Sequence, residues 1–430
     1  MAIHVVGGVY REYCVHPPWN EPYGSAGRAA LAIAAVGTPV CLHSYMDDES
    51  LAVMNEKGVW LNSFAAFQRR IPQPVGFIYL HGMATPEIRG VPSVAYAALA
   101  VKGENVLRFG MLEGDAVVTA DWAVYDPENV RDGRAFKENG STAKRLALVL
   151  NSQEAGHMAG MPGEHPSKAA PALAKQAGAE VVVVKMGPEG AYVWTSSGES
   201  QVPAFRTSRV WKIGSGDCFA AHFANAWMHD GKTPADAALV ACKATAYYCE
   251  TQGFPDKEAL STQRYAPVEL SDEYRSGATR CVYLAGPFFD LAQVWMVQQA
   301  RSNLSDLGLK VFSPYHDIGL GSAEDVVTKD LEAIRNCDLV LAITDGLDAG
   351  VIYEIGYARA LGKTVVVYSE RHSGESLKMM EGSGCVICTD FTTALYSTLW
   401  EAVKICRPAC SCLAGWTPSP LRGGSGRSGP

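Results

Sequence analysis

Two carboxylates, Asp348 and Glu354, stand where a short aliphatic run gives way to a helical pattern. Leu339 to Ile343 has the length and composition of a buried parallel strand. The polar loop Thr344 to Gly350 follows. Val351 to Leu361 then carries apolar residues at helical spacing, Gly362 stops the helix, and Thr364 to Tyr368 is a β-branched strand. This is one βαβ unit, and it places Asp348 in the loop and Glu354 in the first helical turn, at the carboxyl edge of a parallel sheet where α/β folds bind ligands. A helix N-terminus favours an ionised carboxylate, so Glu354 is expected to be held as an anion and to serve as a nucleophile. An ordinary first-turn glutamate is the plain alternative.

A second constellation lies in Trp211 to Gly231. Gly214 and Gly216 permit a tight turn whose amides, with Ser215, can face an anion, and the helix from Asp217 onward adds its positive end. Asp217 is placed to accept a proton from a hydroxyl that attacks a phosphoryl group. Lys212 can hold a phosphate as a point charge.

These groups need scaffolds. Ile3 to Val6 reads as a strand, Tyr23 to Gly37 as a glycine turn and a helix of small residues, Val40 to Met46 as a strand and Asp47 to Lys57 as an exposed helix. Arg69 to Gly90 alternates like a hairpin or lid. Ala116 to Ala120, Trp122 to Tyr125 and Leu146 to Leu150 are strand-like, and Val181 to Lys185 is a central strand whose Gly187–Gly190 turn returns the chain as Ala191 to Trp194. Pro255 to Thr279 is polar and reads as a linker. Five strands alternating with helices follow, from Cys281 to Ile405: a flavodoxin-like or Rossmann-like parallel sheet. Tyr283, Gly286, Pro287 and Phe288 form its first loop, where an aromatic ring can pack on a base, and His316 and Asp317, after the next strand, are expected to line the same pocket, with a plain loop histidine the alternative for His316.

Two resemblances bear on function. YLAGPFF at Tyr283 to Phe289 and DAGVIYEIGYA from Asp348, with Gly350 and Glu354, resemble the nucleoside 2-deoxyribosyltransferase family over about Arg280 to Ile405. The resemblance implies that Glu354 attacks the sugar of a nucleoside, that Asp348 and Asp330 position the nucleoside and help protonate the departing base, and that no cofactor is needed. Breaking an N-glycosidic bond passes through an oxocarbenium-like sugar that a carboxylate can trap. A related branch hydrolyses nucleoside 5′-monophosphates and tends to carry Ser where Asp348 stands; an Asp repels a phosphate, which favours an unphosphorylated nucleoside. Transfer to a free base and hydrolysis by water stay open.

From Ile3 to Phe254, YGSAG, Asn151-Ser152-Gln153-Glu154, Lys185-Met-Gly-Pro-Glu-Gly190 and GSGD together resemble the PfkB (ribokinase-like) sugar and nucleoside kinases. The resemblance implies an ATP- and magnesium-dependent kinase with Asp217 as base, the Ser215–Asp217 amides as anion hole, Asn151 and Glu154 as the indirect magnesium region, and Gly187 and Gly190 at the nucleotide edge. Trp211 and Lys212 stand where the family has Asp and Thr, Arg28 where it has Asn, and the family's early sugar-gripping Asp has no clear counterpart around Gly8 to Glu12. A degenerate kinase scaffold and a nucleoside- or nucleotide-sensing regulator therefore stay open beside an active kinase.

The expected organisation is a kinase domain over 1–254, a linker over 255–279, a transferase-like domain over 280–416 and a disordered tail over 417–430. In 430 residues, 48% hydrophobic content supplies real cores, and a net charge of −8 argues against a nucleic-acid surface. Small nucleosides, nucleobases or sugars are the expected partners, in a cytoplasmic homo-oligomer without a membrane span. Twelve cysteines are mostly small hydrophobes in helix and strand patterns. Cys385, Cys388, Cys406, Cys410 and Cys412 have spacings that a structural zinc could use, although alternation on a strand would point Cys385 and Cys388 apart.

Overall fold

The computed structural model describes residues 1–61, 63–128, 134–319, 321–372 and 374–406. Its chain divides into two compact units, Met1–Val268 and Glu269–Pro430. The expected 417–430 tail lies outside the described residues.

In the first unit the strands are β1 (Ile3–Val6), β2 (Arg11–His16), β3 (Trp19–Pro22), β4 (Val40–Met46), β5 (Phe64–Arg70), β6 (Gly76–His81), β7 (Glu87–Arg89), β8 (Leu99–Phe109), β9 (Ala116–Asp126), β10 (Thr142–Asn151), β11 (Val181–Lys185), β12 (Ala191–Thr195) and β13 (Gly198–Val202). Nine of them form one sheet in the order β13-β12-β11-β10-β9-β8-β1-β4-β5; β3-β2-β6-β7 form a separate small sheet. The helices are α1 (Gly24–Ala35), α2 (Asp48–Gly58), α3 (Ser152–Met158), α4 (Pro166–Ala177), α5 (Ser215–Ala224), α6 (Pro234–Thr251) and α7 (Lys257–Ser261). Alanines of α1, α5 and α6 bury one face of the large sheet. Ala170, Leu173 and Ala174 of α4 join the core on the other face. Small side chains let these helices approach the sheet closely, as a sandwich requires.

The structure revises several local readings. Ala116 to Tyr125 is one strand rather than two, and the sequence reading lacked β8 altogether. These two strands pair in parallel, Leu99 with Ala116 and Phe109 with Asp126, although only residues 110–115 join them. A straight β8 would stretch about 36 Å, beyond the roughly 25 Å reach of that connection. The strands must therefore curve. Both end at the same sheet edge, which brings Gly110 and Asp126 to one place. The hairpin expected in Arg69 to Gly90 is β6 and β7, and they pair into the small sheet through β2.

The stretch 255–279 carries ordered structure instead of a bare polar linker. Asp256 caps α7, Phe205 bridges to Pro267, and Val268 is buried. Polar composition signalled exposure here, and backbone pairing supplied the order.

The second unit opens with α8 (Asp272–Arg275). Its five strands β14 (Cys281–Ala285), β15 (Lys310–Phe312), β16 (Leu339–Ile343), β17 (Thr364–Tyr368) and β18 (Val386–Cys388) are ordered β15-β14-β16-β17-β18, and every pairing is parallel. Counted within the unit this is 2-1-3-4-5, the flavodoxin order, with its switch point between β14 and β16. The helices are α9 (Leu291–Asp306), α10 (Pro314–Asp317), α11 (Ala323–Asn336), α12 (Ala349–Ala360), α13 (Lys378–Gly382) and α14 (Phe391–Val403). The fold class expected for both halves is the one observed.

Candidate functional site

The switch point of the second unit collects three carboxyl groups and a phenol. Tyr283 comes from the middle of β14, fully buried and stacked on Phe312 with ring centroids 5.8 Å apart. Its hydroxyl donates to Glu354 Oε1 at 2.5 Å. Asp348 caps α12, accepting the Val351 N–H at 3.0 Å. Asp330 comes from α11, with its Oδ1 buried and lacking a hydrogen-bond partner among the described residues.

Glu354 is the sixth residue of α12, beyond the first turn where the strand-loop-helix pattern put it. It therefore lies beyond the helix end expected to hold it as an anion, and its charge is set by other neighbours. Burial pushes its carboxyl up to about 7; the Tyr283 hydrogen bond pulls it down, and the charges of Asp330 and Asp348 push it up. Burial likewise lifts Asp330 to about 6. Among the other acids near α11, Asp325 is engaged by its cap residue Ser322, and Asp338 accepts the Cys281 N–H at 2.8 Å.

Gly286 directly follows β14, where a Cβ would come within 2.8 Å of Val297 Cγ2, so a side chain there would push against α9. Pro287 follows, and the ring of Phe288 lies 5.6 Å from Phe289 and 5.3 Å from Tyr315. Phe289 is 73% exposed. Gly350 sits in the first turn of α12, where a Cβ would lie 3.0 Å from Asp348 Oδ1. Both ring nitrogens of His316 are engaged, Nδ1 with Ser313 Oγ at 3.0 Å and Nε2 with Gln298 Oε1 at 2.7 Å. The second of these contacts ties α10 to α9.

The first unit holds a cavity of about 430 Å³ at the ends of β8, β9 and β11, walled on one side by the small sheet. Of the predicted residues, Gly214, Asp217 and Glu154 line it. Gly214 has φ +78° and starts α5; a Cβ there would lie 2.1 Å from the Arg28 guanidinium, so conformation and space both demand glycine. Ser215 Oγ accepts from Lys212 Nζ at 2.9 Å. Gly216 follows in the first turn of α5; of the expected Ser215–Asp217 anion hole, the Ser215 N–H is already engaged, donating to the Lys212 carbonyl at 3.1 Å. Trp211 is buried against Trp19, with centroids 5.1 Å apart. Asn151 and Glu154 form a capping box at the start of α3, each side chain accepting from the other's backbone N–H. Gly187 and Gly190 bracket a single 3₁₀ turn after β11.

The centre of the cavity is Arg28, which is 0% exposed. Its Nη1 donates to Asp217 Oδ2 at 2.6 Å, its Nη2 to Glu12 Oε2, and its Nε to the Tyr248 hydroxyl at 3.0 Å. One cation thus serves two carboxylates, buried Glu12 and the partly exposed Asp217. Glu12, on β2, lines the cavity, and burial raises its carboxyl against the pull of Arg28. Lys185 donates to Asp126 at 2.5 Å. Burial pushes Asp126 up to about 7, against Lys185 and with Glu154. Burial and the neighbouring Asp217 and Asp126 hold Glu128 well above the carboxylate range. Asp126, Glu128 and Lys185 were missed. Their signal was available, since Asp126-Pro127-Glu128 and Lys185 end strands at the ligand edge of a sheet.

Among the described residues, no group of three His, Cys, Asp or Glu side chains has the arrangement of a metal site. Cys385 and Cys388 are buried thiols, and Cys410 and Cys412 of the same cysteine cluster lie outside the described residues.

The two α/β units and their sheet-edge sites define a pair of metabolite-binding enzyme folds. Family models agree: residues 143–256 match the pfkB family carbohydrate kinases, and residues 282–386 match the nucleoside 2-deoxyribosyltransferases. Similar solved structures include a fructokinase from Vibrio cholerae O395 with fructose, ADP and calcium ion (14% identity, 60% of this chain and 97% of that one, TM-score 0.47). A ribokinase from Thermotoga maritima has 15% identity over 60% of this chain and 98% of its own, with a TM-score of 0.45. A mutant phosphofructokinase-2 from Escherichia coli has 14% identity over 60% and 96%, with a TM-score of 0.45. No curated protein matches the chain.

Proposed function

We propose that the second unit cleaves or transfers the N-glycosidic bond of an unphosphorylated nucleoside through a covalent Glu354 intermediate. The observation that carries this reading is the Tyr283–Glu354 hydrogen bond of 2.5 Å set between two further carboxyl groups. The half-buried carboxylate of Glu354 attacks the anomeric carbon of the sugar as the bond to the base breaks. Its charge is consumed in the ester, which relieves repulsion from Asp330 and Asp348. Asp330, near 6, keeps a fraction of protonated carboxyl at neutral pH and supplies the proton that the departing base needs. A second base then takes the sugar from Glu354, or water releases it. Phe288 offers a ring for the base to stack on, and the charge of Asp348 disfavours a 5′-phosphate.

Incubation with deoxynucleosides and a second free base, read by chromatography, tests this. Exchange should fall at least about 10³-fold in Glu354→Ala; exchange that survives the substitution removes Glu354 from the mechanism. Release of base without exchange assigns hydrolysis.

For the first unit the reading is phosphorylation of a sugar or nucleoside hydroxyl, with Asp217 as base and the α5 amides receiving the phosphoryl group. ATP and Mg²⁺ would supply that group and neutralise its charge, with the α5 amides fitting the phosphate and Glu154 and Asp126 fitting water-mediated contact to the metal. The substrate hydroxyl must then displace Arg28 from Asp217. That ion pair favours a second reading, a kinase scaffold whose base is kept silent. Phosphoryl transfer from ATP that disappears in Asp217→Asn supports the first; absence of transfer from the unaltered protein across sugars and nucleosides supports the second.

Exposed Phe289, Leu291 and Tyr353 at the second unit's surface support self-association, which light scattering would measure. No described helix is long and apolar enough to cross a membrane.

A further inference from the structure

A pair of sulfurs in the second unit lies at the opposite end of β14 from its site. Cys281 Sγ and Cys337 Sγ are 3.2 Å apart. Cys281 opens β14, and Cys337 is the residue on which α11 ends. Their backbones are already tied: the Asp338 N–H donates to the Cys281 carbonyl at 2.8 Å, and the Cys281 N–H donates to Asp338 Oδ2 at 2.8 Å. Little movement separates this contact from an S–S bond of about 2 Å.

We propose that Cys281 and Cys337 are a reversible disulfide site that bolts β14 to α11. Those two elements carry Tyr283 and Asp330. Cys281 and Tyr283 share one face of β14, two residues apart, and both pack with Ile334 and Cys337 in the same core cluster. A bond between the sulfurs would therefore hold the strand that presents the phenol against the helix that presents the acid.

The surroundings give the two sulfurs different parts. Cys337 is buried, and the Cys281 contact and burial keep it a thiol, with Lys363 pulling the other way and Asp338 opposing ionisation. Cys281 is half-buried, so an oxidant meets it first. With hydrogen peroxide, the Cys281 thiolate attacks one peroxide oxygen, giving a sulfenic acid and a hydroxide that takes up a proton as water. The Cys337 sulfur then attacks Cys281 sulfur, the S–O bond breaks, and the hydroxyl leaves as a second water with the Cys337 proton. The sulfurs lose two electrons and the peroxide gains them. A dithiol reverses the bond by exchange.

The test treats the full-length protein with hydrogen peroxide, alkylates remaining thiols, and maps peptides by mass spectrometry beside hydrogen exchange. The expected result is a cross-linked Cys281–Cys337 peptide pair lacking two hydrogens, resistant to alkylation until dithiothreitol is added, with slower exchange over β14 and α11. In Cys337→Ser, Cys281 should instead accumulate as sulfenic acid, with no slowing of exchange. The proposal is overturned if both sulfurs alkylate after peroxide, if Cys281 joins another cysteine or passes on to sulfinic acid, or if the slowed exchange persists in Cys337→Ser.

Discussion

Arg28 and Asp217 stand 189 residues apart in the chain and meet at 2.6 Å inside the first unit. The same guanidinium holds Glu12, and the rings of Tyr23 and Tyr248 lie 5.1 and 5.8 Å from its carbon. A buried cation that serves two carboxylates cannot be removed without leaving both charges uncompensated. Replacing Arg28 with Met should therefore cost the first unit about 3–5 kcal/mol. Chemical unfolding followed by the fluorescence of the buried Trp211 and Trp227 would measure it, and a loss below about 1 kcal/mol would mean that Glu12 and Asp217 find other partners.

Tyr283→Phe removes the hydrogen bond that favours the ionised form of Glu354. The carboxyl of Glu354 lies near 7 and must be deprotonated, while Asp330, near 6, must keep its proton, so the rate of the unaltered protein should peak between about pH 6 and 7 and fall on either side. Without the phenol that maximum should move to higher pH and drop about 10-fold or more. A pH–rate profile of base exchange or release checks both. A maximum that stays in place would remove Tyr283 as the group that sets the charge of Glu354.

Asp330→Asn works in the opposite direction on the same group. Removing a neighbouring negative charge should move the rise of Glu354 to lower pH. The maximal rate should fall by about 10²-fold if Asp330 protonates the departing base, and nucleosides with better leaving groups should lose less. Equal losses for all leaving groups would assign Asp330 to positioning alone.

Glu113 gives a pH dependence of stability that does not involve either site's chemistry. It is 0% exposed, its Oε2 accepts from the Tyr10 hydroxyl at 3.2 Å, and Oε1 has no partner among the described residues. Burial raises its carboxyl from 4.5 to about 7. The folded state then binds the proton more tightly than the unfolded one. Stability from this group is fully present below about 4.5 and is lost as pH rises through about 7, by about 3 kcal/mol. Glu113→Gln should leave the unfolding midpoint nearly unchanged at pH 4.5 and raise it at pH 8. A midpoint lowered at both would show that glutamine cannot take the place of the protonated acid.

Much of this was legible along the chain because it is local. The βαβ unit around Glu354, the GSGD turn and the flavodoxin alternation follow from periods of two and of about 3.6 residues and from where glycine interrupts them. Asp348 and Glu354 are placed together by one short helical segment, and Gly214 by the turn that α5 needs at its start. Charge state and partnership are different. Glu354 is lifted to about 7 by burial and by Asp330 and restrained by Tyr283, 71 residues away, while Asp217 receives a cation from α1. Solvent exclusion and long-range contact exist only once the sheets and helices have closed. Spacing along the chain thus marks which groups can do chemistry, and packing sets the proton each one carries and the neighbour it answers to.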